Sequence, residues 1–273
     1  MTASKIYDVI VVGGGAAGLF CAFTAGQRGR SVLVLDSSNK VGKKILMSGG
    51  GRCNFTNLDI QPENYLSANP HFCKSALNGY NQWQFIDMVE RHQIPYHERK
   101  HGELFCDESA KDILAMLLDE CEKAGVSIKT QCDIKVITSQ KSGYSLQTSQ
   151  GSYRCQSLVI ATGGLSIPTM GATGFGYEIA EQFGLHLLPR TAGLVPFTFT
   201  DWVKDISERL SGLAVDVEMS VDGTIFRENL LFTHRGISGP AALQLSSYWR
   251  PGPKISINLL PDLQASALVL DYK

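Results

Sequence analysis

Residues 8–36 read DVIVVGGGAAGLFCAFTAGQRGRSVLVLD. Val9 to Val12 form a short apolar run, as expected of a parallel strand buried on both faces. Gly13-Gly14-Gly15-Ala16-Ala17-Gly18 then fits G-x-G-x-x-G. In that pattern Gly13 allows a tight turn, Gly15 lets a phosphate approach the backbone, and Gly18 lets the next helix pack closely. The helix is expected over about residues 16–28, its N-terminal N–H groups aimed at a pyrophosphate, with Gly29 as its stop. Residues 31–35 form the second strand. Asp36 ends it, where a carboxylate accepts hydrogen bonds from ribose hydroxyls. With 27 glycines in the chain a bare match carries little weight. Here strand, turn, helix, strand and acid fall in the required order. A βαβ unit without nucleotide is the competing reading. Asp36 disfavours a bound 2′-phosphate, so FAD or NAD fits better than NADP. The expected fold is α/β, a Rossmann-type domain on a central parallel sheet.

The chain has 273 residues, 44% of them hydrophobic, enough for one large or two modest domains. Its net charge of −1 gives no global basic field, so RNA as a partner has no support from net charge. MTASKIYDVI enters the first strand almost at once, and a secretory signal is not expected there. No apolar run approaches the roughly 18 residues of a membrane span. The seven cysteines are odd in number and contain no C-x-x-C, which fits a reduced, cytoplasmic protein.

A second unusual stretch follows, SSNKVGKKILMSGGGRCNFTN, residues 37–57. Gly49, Gly50 and Gly51 lie between Ser48 and Arg52, and such a run lets backbone N–H groups approach an anion or a flat ring. Lys43, Lys44 and Arg52 add positive charge. The functional reading is a second wall of the cofactor site; the alternative is a surface loop. It is not a P-loop, because Gly42-Lys43-Lys44 lacks the upstream glycine and the Ser or Thr.

Residues 58–125 read as mainly helical. Asn69-Pro70 predicts a helix start, residues 82–91 suit a second helix, and Ser109 with Asp112 predicts a cap for a third that Gly125 ends. The segment around His97 and His101 reads as strand and turn, and lacks further metal ligands. Cys106 reads as a buried thiol. Short strands are expected over 126–130, 133–138, 144–148 and 152–155, a meander over about 126–156. Residues 157–161 then return to the central sheet and meet Thr162-Gly163-Gly164, a glycine turn at the strands' carboxyl ends. A helix is expected from about Tyr177. Beyond Pro189, strands are expected over 194–199, 214–221, 224–233 and 255–259, with a hairpin at Asp222-Gly223. The domains expected are a cofactor-binding domain over 1–190 and an inserted antiparallel β-rich domain over 191–273. Within the latter, Leu231 to Leu243 breaks the strand pattern. Its Thr233, His234, Arg235 and Ser238 read either as a substrate- or flavin-facing loop or as a plain connection.

GKKILMSGGGRCNFTN, VIATGGLSIPTMGATGFGYEIAEQFG and LLFTHRGISGPAAL together resemble the bacterial flavoproteins called aminoacetone oxidase-like or YhiN-like, within the glutathione-reductase-type FAD superfamily. The resemblance covers essentially the whole chain. It implies an FAD-binding Rossmann-type domain with an inserted β-rich domain and a helical subdomain. It also implies that Gly13, Gly15 and Gly18 (the turn with Gly14, Ala16 and Ala17) bind pyrophosphate, and that Asp36 binds the AMP ribose. Lys43, Lys44, Ser48, Gly49, Gly50, Gly51, Arg52, Cys53 and Asn54 would line the flavin side. Ile134 would meet adenine, and Ala161, Thr162, Gly163 and Gly164 would pass beside the cofactor. Phe175 departs from the pattern, standing where related T-G-D-G flavoproteins carry an acid. Members of that family also continue past the position of Lys273 to close on the flavin, so weak FAD retention is expected of the chain as written.

The activity expected is that of an FAD-dependent oxidoreductase exchanging a hydride with a small organic substrate, by reduction of an activated C=C bond or oxidation of an amine. NAD(P)H is a candidate transient electron donor. His234 is the candidate proton donor, because histidine is the side chain most often used as a general acid, and Arg235 the candidate stabiliser of developing negative charge. The alternatives are a nucleotide- or RNA-associated module without its own turnover, flavin-dependent reduction of a pyrimidine in ribosomal RNA, and an NAD-dependent dehydrogenase.

Overall fold

The fold is a computed structural model and describes residues 5–263. The chain divides into two compact units, one up to Leu187 and one from Leu188 onward.

The first unit opens as the sequence predicts. Strand β1 (Ile6–Val12) leads through the glycine turn into helix α1 (Ala16–Gln27) and back to strand β2 (Val32–Leu35). The stretch read as a glycine loop has more structure than expected. It holds helix α2 (Lys43–Met47), a tight turn over residues 48–51 and strand β3 (Asn54–Asn57). Next come α3 (Lys74–Gly79), α4 (Gln82–Arg91), β4 (Tyr96–Glu98), β5 (Glu103–Cys106) and α5 (Ala110–Lys123). Asn69-Pro70 does not start α3. Asn69 Oδ1 instead accepts the His71 N–H at 3.0 Å, an Asx turn that competes with the helix. The caps of α4 and α5 form as reciprocal capping boxes, Asn81 with Gln84 and Ser109 with Asp112.

Strands β6 (Ser127–Lys129), β7 (Ile134–Gln140), β8 (Gly143–Thr148) and β9 (Gly151–Ile160) follow, then α6 (Phe175–Gln182). The main sheet runs β6-β2-β1-β9-β8-β7. Two expectations are corrected here. β6 pairs parallel with β2, at the far edge from the meander. The strands expected over 152–155 and 157–161 are one ten-residue strand, which pairs with β8 on one side and β1 on the other. β1 and β2 are buried on both faces. Val11, Val32 and Val34 pack with Leu19 and Phe23 of α1 and with Ile113 and Leu117 of α5. Ile10, Val12, Leu33 and Leu35 pack in a second cluster with Ile137, Leu146 and Ile179. Phe175 joins that second cluster, so the aromatic at this position serves packing.

The second unit contains β10 (Phe197–Thr198), α7 (Asp201–Arg209), β11 (Ala214–Val221), β12 (Thr224–Thr233), β13 (Gly236–Ser238), α8 (Pro240–Ser246) and β14 (Ser256–Asn258). Its antiparallel sheet runs β10-β13-β12-β11-β14. Asp222 and Gly223 both have positive φ, 46° and 81°, as a two-residue hairpin of type I′ requires. Val217, Met219 and Val221 face Leu230, Ile237, Ala241 and Leu245 in the core. The expected strand over 194–199 shrinks to two residues, and Gly236–Ser238 is a strand rather than a break. Gly236 is required there, because a Cβ would lie 2.1 Å from the Phe197 carbonyl oxygen across the ladder.

Candidate cofactor site

The first and third glycine turns and the start of α2, far apart in sequence, meet at the carboxyl ends of β1 and β9. The first is fixed by backbone contact. The Gly13 N–H donates to the Leu35 carbonyl at 2.8 Å, and a Cβ on Gly13 would stand 2.5 Å from the Ala161 carbonyl oxygen. A Cβ on Gly18 would stand 1.8 Å from the Gly13 carbonyl oxygen, so α1 can approach the turn only without a side chain there. The start of α2, which leads into the second glycine turn at Gly49 to Gly51, is tied to the first turn by the Gly42 N–H donating to the Gly14 carbonyl at 2.8 Å. The third turn, at Gly163, is tied to α2 by Lys44 Nζ donating to Ser166 Oγ at 2.7 Å. Gly163, at φ 76°, lies beneath that ammonium.

The space that remains has a definite character. Among the described residues, nothing lies within 4 Å of the position a Cβ would take on Gly15, the N-cap of α1, and no side chain caps that helix. Its first-turn N–H groups and dipole therefore face open space and favour an anion. Gly49 and Gly50 stand in the left-handed region (φ 56° and 66°), and Gly50 too has open space where a Cβ would be. These features fit a dinucleotide cofactor. Thr162 Oγ1, by contrast, is buried against α6, 3.1 Å from where a Cβ on Gly176 would stand, and has no hydrogen-bond partner among the described residues.

Asp36 is more engaged than the sequence suggests. Its Oδ2 accepts the Gly14 N–H at 2.6 Å, and its Oδ1 accepts the Ser38 N–H at 2.8 Å and the Ser38 hydroxyl. The carboxylate is thus held in one orientation, with lone pairs left for a ribose hydroxyl. Lys43 is half-buried, and Arg52 and Asn54 are exposed. Cys53 is buried at φ 51°, and burial pushes its thiol up. Ile134 begins β7 and is half-buried in the second core cluster. The Gly49 loop rests on the small antiparallel sheet β3-β5-β4, where a Cβ on Gly49 would meet Phe105 Cε1 at 2.7 Å. Cys106 lies in the same sheet, and burial pushes its thiol up to about 12, which keeps it protonated and unreactive.

His234 and Arg235 stand apart from these turns in sequence and belong to the second unit. They form the tight turn between β12 and β13. There they line a cleft of about 590 Å³ with Thr200, Lys204 and Glu208.

Sequence reading missed two side-chain clusters. His97 Nδ1 lies 2.6 Å from Asp107 Oδ1, and the Arg99 guanidinium sits 4.0 Å above the Phe105 ring. His92, Asp119 and Glu120 bring three potential metal-ligand atoms together. Lys123 Nζ at 2.6 Å from Asp119 and Gln27 Nε2 at 2.9 Å from Glu120 occupy that network as counter-charge and hydrogen-bond donor. The i, i+1 acids on α5 gave no signal, because Glu120's partners Gln27 and His92 come from α1 and the end of α4. Among the described residues, no helix is long and apolar enough to cross a membrane.

Comparison with known proteins agrees with this architecture. Residues 7–216 match the family model described as "HI0933-like protein Rossmann domain", and residues 191–272 match "HI0933-like protein barrel and H2TH domain". The chain is 56% identical over 268 residues to the ribosomal RNA dihydrouridine synthase of Escherichia coli (strain K12), covering 98% of this chain and 67% of that protein. It is 48% identical to the ribosomal RNA dihydrouridine synthase of Haemophilus influenzae, covering 95% and 66%. It is 24% identical to the 3-dehydro-bile acid delta(4,6)-reductase of Clostridium scindens, covering 94% and 65%. The chain therefore spans about two thirds of the length of these curated relatives.

Proposed function

The chain belongs to the HI0933-like family, and from that premise we propose that it is the FAD-binding part of a flavin-dependent oxidoreductase that reduces a uridine of ribosomal RNA to dihydrouridine. The substrate class rests on one observation, the 56% identity to a protein named for that reaction. The cofactor rests on the glycine turn before α1, interlocked with the start of α2 and with the Gly163 turn. In this reading the α1 N-terminus and the backbone of Gly13, Gly14, Gly15, Ala16, Ala17 and Gly18 hold the pyrophosphate. Asp36, oriented by Gly14 and Ser38, accepts from the AMP ribose. Lys44 and the Ala161 to Gly164 turn flank the cofactor. Lys43, Ser48 to Asn54 and Ile134 take the flavin and adenine ends, as the resemblance implies. The bound FAD supplies hydride transfer. The chain's own work is to orient the group and exclude water from it.

His234 and Arg235 are proposed to serve the substrate, His234 as proton donor and Arg235 as stabiliser of developing charge. His234→Ala is expected to leave FAD binding unchanged and to slow substrate-dependent flavin reoxidation by a factor of about 10² or more. Unchanged turnover removes the role. NAD(P)H is proposed as the electron donor, tested by anaerobic bleaching of the bound flavin. A C=C bond of a small steroid-like substrate is the second reading, favoured by the bile-acid reductase similarity. The deciding experiment compares dihydrouridine in ribosomal RNA, by nucleoside mass spectrometry, from cells with and without the gene. Loss of the modified nucleoside on deletion, restored by the gene, supports the reading; an unchanged content refutes it.

A further inference from the structure

The β3-β5-β4 sheet has two faces. Cross-strand register places Asn54, Phe105 and His97 on the face that carries the Gly49 loop, and Tyr96, Glu98 and Leu104 on the other. That second face meets α4 and leaves a cleft of about 410 Å³. Leu58, Ile86 and Leu104 form its floor, Trp83 and Tyr96 are its aromatic walls, and the charges that line it among the described residues are the carboxylates of Asp87, Glu90 and Glu98. Asp87 is paired with Arg91 at 3.0 Å. Glu90 Oε1 accepts the Tyr96 hydroxyl at 2.7 Å, which fixes the carboxylate. Trp83 is 57% exposed, although Ile86, Met88 and Val89 of the same helix are buried.

We propose that this cleft is a docking site for an arginine side chain of a basic polypeptide. Charge favours a cation: Glu90 and Glu98 line the cleft, Asp87 beside them is already paired with Arg91, and none of the lining residues described is a cation. Each part of the residue finds its counterpart. The apolar floor takes the aliphatic stem, Trp83 offers a ring face to the guanidinium, and Glu90 and Glu98 accept its forked N–H groups. A polyanion such as RNA is repelled from this face. The site is independent of the cofactor reading.

The test uses the full chain, ¹⁵N-labelled, with the Trp83 indole resonance assigned by Trp83→Phe. The probe is an acetylated peptide of alternating glycine and arginine. Its control carries citrulline, the neutral isostere, in place of arginine. The arginine peptide is expected to move the Trp83 indole and leave Trp202 and Trp249 in place, while the citrulline peptide moves none. E90Q/E98Q is expected to weaken binding at least tenfold with unchanged melting temperature; E98Q alone, at an exposed position, gives a smaller loss in the same direction. The proposal is overturned if Trp83 does not move, if both peptides move it equally, if neither variant weakens binding, or if an oligouridylate moves it as the arginine peptide does.

Discussion

Gly18 and Gly15 belong to one fingerprint but answer to different demands. A Cβ at Gly18 would collide with the Gly13 carbonyl oxygen at 1.8 Å, whereas nothing lies within 4 Å of one at Gly15. Gly18 is glycine because the protein needs the space. The folded chain itself makes no such demand at Gly15, at an ordinary φ of −83°, so its glycine leaves room for something else. Gly50 gives a third case, with open space but a left-handed backbone at φ 66°. The contrast separates glycines that hold the fold from those that keep a surface open.

The largest effect expected is at Gly18. Gly18→Ala should cost about 3 kcal/mol or more, because α1 must shift off the turn, read as a fall in the denaturation midpoint. A change under about 1 kcal/mol would show that the turn yields, and the contrast with Gly15 would weaken.

Alkaline pH probes the thiols buried in the sheet behind the second turn and in α5. Burial pushes the thiols of Cys106 and Cys121 up to about 12 and about 11. An unfolded thiol titrates near about 8.5. The native state thus binds these protons more tightly, so their contribution is complete below that value. It is lost progressively as pH rises from there toward 12. Stability measured by urea unfolding should fall across this range, and Cys106→Ala should flatten part of the fall. A slope identical in the variant would detach Cys106 from it.

A smaller effect is expected at Gly50, where Ala meets no neighbour and only the left-handed backbone resists it. Gly50→Ala should cost about 1 kcal/mol. A loss as large as that at Gly18 would mean that the second turn is packed as tightly as the first.

The residues made much of this legible. The β1–α1–β2 unit, the capping boxes and the Asp222-Gly223 hairpin each depend on neighbours in sequence, so local pattern is sufficient. Partners across the chain were not legible. Residues 127–129 read as a strand, but nothing in SIK says that it pairs with β2 rather than with the meander. Polar Gln156 split β9 into two readings, because alternation breaks where the strand passes from one partner to the next. Helix α7 escaped notice: its Asp201 has φ 54°, not a usual helix start, and DWVKDISER has few apolar residues. The acid at Asp36 was visible; the two backbone N–H groups and the hydroxyl that orient it were not. Nor could spacing reveal that Lys44 reaches Ser166, the contact that ties the third turn to α2.

The central claim, that the open space before Gly15 is a cofactor site, is tested most directly by titrating FAD into the wild-type chain and Gly15→Ala. The readout is perturbation of the visible flavin spectrum, with melting temperature measured on the same samples. The account predicts that wild type binds FAD. It also predicts that Gly15→Ala melts within about 0.5 kcal/mol of wild type without cofactor and has lost at least tenfold in FAD affinity. FAD binding by Gly15→Ala with undiminished affinity, or no binding by the wild-type chain at saturating FAD, would contradict it.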